Sequence, residues 1–194
     1  MVNDFHALLQ AAAIPAPHVL VGQSFGGQSF GGLLVRLYAH HHPGKVAGLV
    51  LVASMHEDQF DIFGPIFPPA APSDPSAFAA MRAFWQDGWR NPDSTTEGID
   101  FPSSIRQGKE IPSLGDVPLH IIIAGTMLNQ SMMPAPVRAA LQQQWQELQM
   151  RFLRLSTRAT HSLELSSGHI VQRDNPKAVA DAIKAAVRAF RREP

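Results

Sequence analysis

The stretch HVLVGQSFGGQSFGG (residues 18–32) decides the fold that this sequence predicts. It opens with an apolar run that ends in a glycine, which is typical of a strand buried on both faces. The hexapeptide GQSFGG then occurs twice, the copies sharing one glycine, so that G-x-S-x-G surrounds both Ser24 and Ser29. A helical pattern follows at residues 33–42. The stretch therefore predicts a buried strand, a tight glycine-rich turn that carries serine, and a helix.

Further strands and helices alternate on either side of this stretch. Apolar runs predict strands at 46–53, 119–124 and 161–165, and apolar residues at helical spacing predict helices at 5–12, 137–152 and 176–190. Strands that alternate with helices form parallel βαβ units. The sequence thus predicts an α/β fold with a mainly parallel sheet of about four strands and flanking helices, in a single domain over residues 1–194.

The exception to this alternation is the segment of residues 55–117. It is irregular and rich in Pro, Phe and Trp, and one amphipathic helix is predicted around residues 78–85. A connection of this length between two strands is usually functional rather than passive. We therefore predict a lid, whose aromatic side chains either line a substrate pocket or form the lid's own core.

The composition excludes several classes of protein. The chain carries 16 basic and 16 acidic residues without a concentration of either sign, so no nucleic-acid or anionic-membrane surface is predicted. Because there is no cysteine, disulfides, thiolate metal sites and thiol catalysis are excluded. No apolar run approaches the ~20 residues of a membrane span, and the opening MVNDFHALLQ lacks the positive start of a signal peptide. We therefore expect a cytoplasmic protein.

A serine between glycines, after a buried strand and before a helix, has the arrangement of a nucleophile elbow. The small neighbours permit the strained turn, and the first backbone N–H groups of the helix lie where an oxyanion would form. Near the other end of the chain, SSGH (residues 166–169) follows the last predicted strand. His169 is therefore predicted to reach over the strand ends toward the serine.

Serine, lid and histidine follow one another at the ends of the predicted strands, and this order resembles the α/β-hydrolase superfamily. The segments HVLVGQSFGG, LLVRLYAHHHPGKVAGLVLVASMHEDQ and SSGHIVQRDNPKAVADAI look like the elbow, the following strand and the histidine loop of its esterase-like members. The resemblance extends from Phe5 to Phe190. It implies a serine hydrolase that cleaves small carboxylic esters with short acyl chains through an acyl-enzyme, and it implies no cofactor and no metal.

The resemblance also implies roles for individual residues. Ser29 or Ser24 would attack the ester, and His169 would act as general base and then as general acid. The backbone N–H of Phe30 or Phe25, whichever follows the nucleophile, would donate to the oxyanion. Only one serine can occupy the elbow, so the residues of one copy must loop out. Ser29 keeps the normal relation to the helix start and to its N–H donor, which favours it slightly over Ser24.

The catalytic acid does not match the pattern of the superfamily. Where esterase-like relatives commonly have an aspartate at the end of the strand after the elbow helix, this chain has Ala53, and the more familiar acid position lies near Asn129. Glu57 or Asp58 is the remaining candidate, unless both are surface residues at the start of the lid. Asp174 is interpreted as a surface residue near the cap of the last helix.

A second departure concerns the beginning of the chain, where a helix directly precedes the elbow strand. The superfamily's first strands are therefore expected to be missing, and with them the loop that donates a second N–H to the oxyanion. Residues 19–21 would then form an exposed apolar sheet edge, which predicts a homodimer or a higher oligomer. These departures leave an alternative function, that of a catalytically impaired hydrolase remnant acting as a binding or self-assembly module.

Overall fold

The structure of the chain, a computed structural model, describes residues 1–23, 30–95, 98–127 and 133–191. Its strands are β1 (His18–Gln23), β2 (Val46–Val52), β3 (Leu119–Ala124) and β4 (Ala159–Glu164). They form one sheet in the order in which they occur along the chain, and every neighbouring pair is parallel. The predicted fold class, an α/β fold with about four mainly parallel strands, is confirmed.

The helices connect and cover these strands. They are α1 (Val2–Ala11), α2 (Gly31–His41), α3 (Gln59–Phe63), α4 (Ser76–Gln86), α5 (Phe101–Lys109), α6 (Ala135–Arg151), α7 (Val171–Asp174) and α8 (Pro176–Arg191). All seven residues of β2 are buried, as the continuous apolar run predicts for a strand covered on both faces. No helix among the described residues is long and apolar enough to cross a bilayer.

The contacts of two glycines show that α2 and α8 lie on opposite faces of the sheet. A Cβ on Gly22 would come within 2.6 Å of Val35 in α2, and a Cβ on Gly48 would lie 3.1 Å from Ala186 in α8. Gly22 pairs with Leu51, three residues beyond Gly48. Since side chains alternate along a strand, the two glycines face opposite sides of the sheet, and both helices approach the backbone closely.

The two edges of the sheet differ in character. β1 (HVLVGQ) contains no Asp, Glu, Lys or Arg, and Val21 is 40% exposed. β4 is more polar at its start, where Thr160 and Ser162 bind the His120 ring of β3 (2.8 and 3.3 Å). β4 begins two residues earlier than predicted, because its first pairs depend on backbone groups rather than on apolar side chains.

The insertion between β2 and β3, residues 55–117, contains α3, α4 and α5. Its aromatic rings pack on one another: the Phe60 ring lies 4.7 Å from Trp89, 5.2 Å from Trp85 and 4.9 Å from Phe101. All four side chains are buried. Of the two roles that the sequence allows for these aromatics, the packing therefore matches a core that belongs to the insertion itself.

Candidate active site

The carboxyl ends of all four strands lie at the same edge of the sheet, because the strands are parallel. In open α/β sheets this is the edge at which ligands bind. Four chain segments leave the sheet there, after Gln23, Val52, Ala124 and Glu164. Every predicted site residue belongs to one of these four segments.

His169 lies in the segment between β4 and α7 and is partly buried. The edge of its ring meets the indole of Trp145 in α6, with ring centroids 6.4 Å apart and planes inclined by 62°. Burial lowers the pKa of His169 below its ordinary value. The imidazole is therefore neutral at neutral pH, which is the form that can accept a proton.

The backbone fixes the loop that carries His169 against the end of β3. The Gly125 N–H donates to the Glu164 carbonyl (2.9 Å), and the Thr126 N–H donates to the Ser167 carbonyl (3.1 Å). A Cβ on Gly125 would lie 2.3 Å from the Leu165 carbonyl oxygen, so only glycine permits this approach. The segments after β3 and β4 thus form one hydrogen-bonded unit.

The predicted elbow lies between β1 and α2. Ser24, Phe25 and Ser29 lie outside the described residues. The described residues on either side of this segment approach each other closely, because a Cβ on Gly31 would be 2.4 Å from the Gln23 carbonyl oxygen. The end of β1 and the start of α2 are therefore adjacent in space.

Phe30 is the residue that directly precedes α2. Its backbone angles are helical (φ −73°, ψ −29°), and its carbonyl accepts the N–H groups of Leu33 and Leu34 at 3.0 and 3.1 Å. A Cβ on the second helical residue, Gly32, would lie 1.6 Å from Ser54 Oγ after β2. The paired glycines of the sequence thus allow the start of α2 to press against the end of the neighbouring strand.

Glu57, one of the two predicted acids, binds a fully buried cation. Arg36 of α2 donates from Nη1 to Glu57 Oε2 (2.9 Å) and from Nη2 to the Met55 carbonyl (3.1 Å), and its guanidinium lies 4.6 Å from the centroid of the Phe152 ring. Burial lowers the pKa of Arg36, and the Glu57 carboxylate opposes that change. The pair joins α2 to the first residues of the insertion.

Asp58, the other predicted acid, lies on the outer side of the same segment. Its carboxylate pairs with Arg151 of α6 (3.1 Å) and with Lys109 of α5 (3.3 Å). The Asp58 N–H also donates to Nδ1 of the buried His56 (3.1 Å). Both predicted acids therefore have cationic partners, and both connect helices to the segment after β2.

The two positions at which relatives would have an acid give no carboxylate. Asn129 lies outside the described residues. Ala53 is buried, and its φ of +45° falls in the left-handed region that residues with a Cβ seldom adopt. Its N–H donates to the Ile122 carbonyl in β3 (2.9 Å), which holds the chain in this conformation where it leaves the sheet.

One face of α6 supports three of the four strand-end segments, and the sequence reasoning identified only its apolar residues. Gln142 accepts the Met127 N–H after β3 (2.8 Å), and Gln149 donates to the Ser54 carbonyl after β2 (2.6 Å). Trp145, between them, contacts His169. In the sequence the only indication of this role is spacing. Gln142, Trp145 and Gln149 occur at positions i, i+3 and i+7, so the two glutamines lie beside the apolar stripe of the helix.

Among the described residues, no group of three or more His, Cys, Asp or Glu side chains is arranged to hold a metal ion. The parts of the candidate site that the structure describes are His169, the start of α2 and the side chains of α6 that bind the strand-end segments. Its parts can move a proton and can present helix N–H groups to an anion.

A family model described as the alpha/beta hydrolase fold matches residues 1–84 of the chain. No curated protein matches the chain significantly. Among solved structures, the chain is similar to a probable hydrolytic enzyme from Pseudomonas aeruginosa PAO1, with 19% identity, a TM-score of 0.57 and coverage of 96% of this chain and 68% of the other.

It is also similar to a thermophilic esterase from Thermogutta terrifontis, with 14% identity, a TM-score of 0.54 and coverage of 97% of this chain and 71% of the other. At such identities a shared fold is what the similarity establishes. The resemblance found in the sequence is confirmed at that level.

Proposed function

Because this chain has the α/β-hydrolase fold, we propose that it is a serine hydrolase that cleaves carboxylic esters of short acyl chains through an acyl-enzyme. The observation that carries the proposal is His169, a neutral imidazole at the carboxyl ends of the strands, the same end of the sheet at which the G-x-S-x-G segment connects β1 to α2. A neutral imidazole at this edge is the base that a serine hydroxyl needs.

In the proposed reaction the serine Oγ attacks the ester carbonyl carbon while its proton passes to His169. The tetrahedral oxyanion accepts a hydrogen bond from the N–H of the residue after the serine. Its collapse releases the alcohol, which takes the proton from His169. Water then attacks the acyl-enzyme with His169 as base, and the carboxylic acid leaves while the serine is restored.

We assign the nucleophile to Ser29 rather than to Ser24. Phe30 already has helical backbone angles and α2 starts at the next residue. A nucleophile at position 29 would therefore sit directly before the first helical turn, with the Phe30 N–H as oxyanion donor. With Ser24 as nucleophile, the donor would be Phe25, which lies six residues before the first residue of α2.

The predicted acids, Glu57 and Asp58, complete this proposal only if one of them exchanges its cationic partner for the His169 ring. Loss of the acid in a serine–histidine–acid site lowers kcat about 10⁴-fold. Because Glu57 is bound to Arg36 and Asp58 to Arg151, we expect Glu57→Gln and Asp58→Asn each to change kcat less than about tenfold. A loss near 10⁴-fold in either variant would instead identify the acid.

The serine is tested with 4-nitrophenyl acetate and with a fluorophosphonate, which labels activated serines. We expect the wild type to hydrolyse the ester and to be labelled, and Ser29→Ala to abolish both. Ser24→Ala should keep both, as should the control Ser73→Ala, an exposed serine of the insertion. Unchanged hydrolysis in both Ser24→Ala and Ser29→Ala would refute the catalytic proposal.

We further propose that two copies associate through β1, an assembly that the alternative function would use as well. Among the described strands β1 pairs only with β2, so its other side offers backbone groups to a second chain, and the protein has no net charge that would separate two copies. A two-fold axis would pair the two β1 strands antiparallel and continue the sheet across both copies.

Sedimentation at micromolar concentration tests this association. We expect a dimer for the wild type and a monomer for Val21→Lys, because a lysine at a sheet edge blocks pairing. Leu163→Lys, at a residue of similar exposure on the opposite edge strand β4, is the matched control and should remain dimeric. A monomeric wild type would exclude the dimer. A dimer that no fluorophosphonate labels would favour the self-assembly module over the enzyme.

A further inference from the structure

Asp174, the last residue of α7, holds the backbone on both sides of His169. Its Oδ2 accepts the N–H of Gly168 at 2.9 Å, and its own N–H donates to the carbonyl of Ile170 at 3.2 Å. The histidine is thus the central residue of a three-residue segment whose two neighbours are both bound to one aspartate.

The carboxylate sits tightly against this segment. A Cβ on Gly168 would lie 3.1 Å from Asp174 Oδ2, closer than most side-chain contacts. The side chain of Asp174 is 25% exposed. The sequence interpretation of Asp174 as a surface residue near a helix cap thus leaves out this contact, since one carboxylate oxygen faces the loop that carries His169.

The cap of α8 is provided by a different residue. Asn175 Oδ1 accepts the Ala178 N–H (3.3 Å), and Asn175 Nδ2 donates to Glu164 at the end of β4 (2.8 Å). Asp174 is therefore not needed to start the last helix. Its hydrogen bond to Gly168 serves the loop alone.

The charge of Asp174 suits it to this contact. Hydrogen bonding from Arg173 (2.9 Å), followed by the bond from the Gly168 N–H, holds the pKa of Asp174 below its ordinary value. A carboxylate accepts a backbone N–H more strongly than a neutral side chain does. The Asp174 carboxylate is thus ionised and accepts the Gly168 N–H at the pH at which a neutral histidine acts as base.

We propose that Asp174 is a positioning residue for His169, whose carboxylate fixes the Gly168 amide and thereby the direction in which the imidazole leaves the loop. The inference rests on the proposed function, in which His169 is the general base. Misplacement of a catalytic group by about 1 Å can cost on the order of 10²-fold in rate. The role therefore predicts an effect on kcat rather than on substrate binding.

Three variants test the role: Asp174→Ala, which removes the acceptor; Asp174→Asn, whose amide oxygen can still accept from Gly168; and Asp181→Ala as matched control. Asp181 is an aspartate in α8 that pairs with exposed Lys177, so its removal changes the net charge equally. Hydrolysis of 4-nitrophenyl acetate over pH 5–9 gives kcat and KM. Urea midpoints report on folding, and NMR of ¹³C-labelled histidine reports on His169 directly.

We expect Asp174→Ala to lower kcat on the order of 10- to 100-fold at an unchanged KM, and to shift the His169 resonance while those of the other histidines stay in place. Asp174→Asn should recover kcat to within about threefold of wild type. Asp181→Ala should match wild type in every measurement.

If Asp174→Ala keeps both kcat and the His169 resonance of wild type, the positioning role is overturned while the hydrolase proposal stands. If the wild type does not hydrolyse the ester, the proposed function fails, and the His169 resonance alone decides the positioning role. If Asp174→Ala does not fold, Asp174→Ser replaces it, because the serine side chain is one atom too short to reach the Gly168 N–H from the same backbone position. A lower kcat together with a shifted His169 resonance in this variant supports the role, and wild-type values of both overturn it.

Discussion

Two segments at the same edge of the sheet each combine a histidine with acidic residues, and they use them differently. After β2, His56 is buried against Phe152, with ring centroids 4.9 Å apart, and Glu57 neutralises the buried Arg36. After β4, His169 is only partly buried. Asp174 of α7 accepts a hydrogen bond from the backbone of the loop that carries His169.

The two segments show that an acidic residue near a histidine can serve different partners. In the first segment the acid compensates a cation that has lost its hydration, so the pair is part of the core and cannot release its partner without cost. In the second segment Asp174 accepts a hydrogen bond from the backbone N–H of Gly168, and the imidazole of His169 lies near the strand ends. A histidine–acid neighbourhood in a sequence therefore indicates a core contact as readily as a catalytic one.

The largest expected effect separates the two histidines by activity. His169→Gln should lower kcat for 4-nitrophenyl acetate on the order of 10⁴- to 10⁶-fold, because loss of the base removes the proton acceptor. His56→Gln, as the comparison variant, should keep kcat within about tenfold, since His56 is a core residue. Equal losses of kcat in the two variants would show that the two histidines do not differ in function.

The second effect separates the two acids by stability. Glu57→Ala should lower the free energy of unfolding by about 3–5 kcal/mol, because it leaves Arg36 buried without compensation. Urea unfolding measures the change. Asp61→Ala, which removes an exposed aspartate that pairs with Lys109, is the control and should cost no more than about 1 kcal/mol.

A double variant sharpens this second test. Arg36→Met combined with Glu57→Leu removes both charges and should recover most of the stability that Glu57→Ala loses. If the double variant is as unstable as Glu57→Ala, then packing rather than the uncompensated cation explains the loss.

The smallest effect is the dependence of stability on pH. Burial lowers the pKa of both His56 and His169, with Glu57 partly opposing the change at His56. In the unfolded chain both bind protons near their ordinary pKa of 6.5. The free energy of unfolding is therefore highest above pH 6.5. It decreases as the pH falls from 6.5 through the lowered pKa values, with a slope of at most about 1.4 kcal/mol per pH unit for each proton.

Urea unfolding between pH 5 and pH 8 measures this slope. Among the described residues, burial also lowers the pKa of His42 and His120. His56→Phe therefore removes one of four such histidines, so the variant should lose less stability on acidification than the wild type. A wild-type free energy of unfolding that is flat or rises as the pH falls below 6.5 would contradict the assignment of both histidines as neutral in the fold.

The fold followed from the sequence because its signals are local. Apolar runs marked all four strands, and apolar residues at helical spacing marked α1, α6 and α8 within a few residues. The end of β3 at Ala124 matched the prediction, since its run LHIIIA is bounded on both sides. By contrast, the helices α3, α5 and α7 are short and were not predicted, because a single turn or two gives too little periodicity to recognise.

The candidate site could be predicted only in part. G-x-S-x-G and the distal G-H pair predict a nucleophile and a base, and of these the structure describes only His169, in the segment between β4 and α7. The sequence could not show that Glu57 binds Arg36, since these residues are 21 positions apart. The contacts of Gln142, Gln149 and Asp174 could not be predicted for the same reason, because each binds backbone that the fold alone brings close.

The sequence by itself determined the order of strands and helices, the absence of thiol chemistry and the residue types available for acyl transfer. These depend on side-chain polarity and spacing along one chain, which can be read directly. The tertiary structure alone decided the partner of each charge. Which carboxylate compensates a buried guanidinium and which one holds a backbone amide depends on distances between segments far apart in sequence, and only the packing of the sheet and its helices sets those distances.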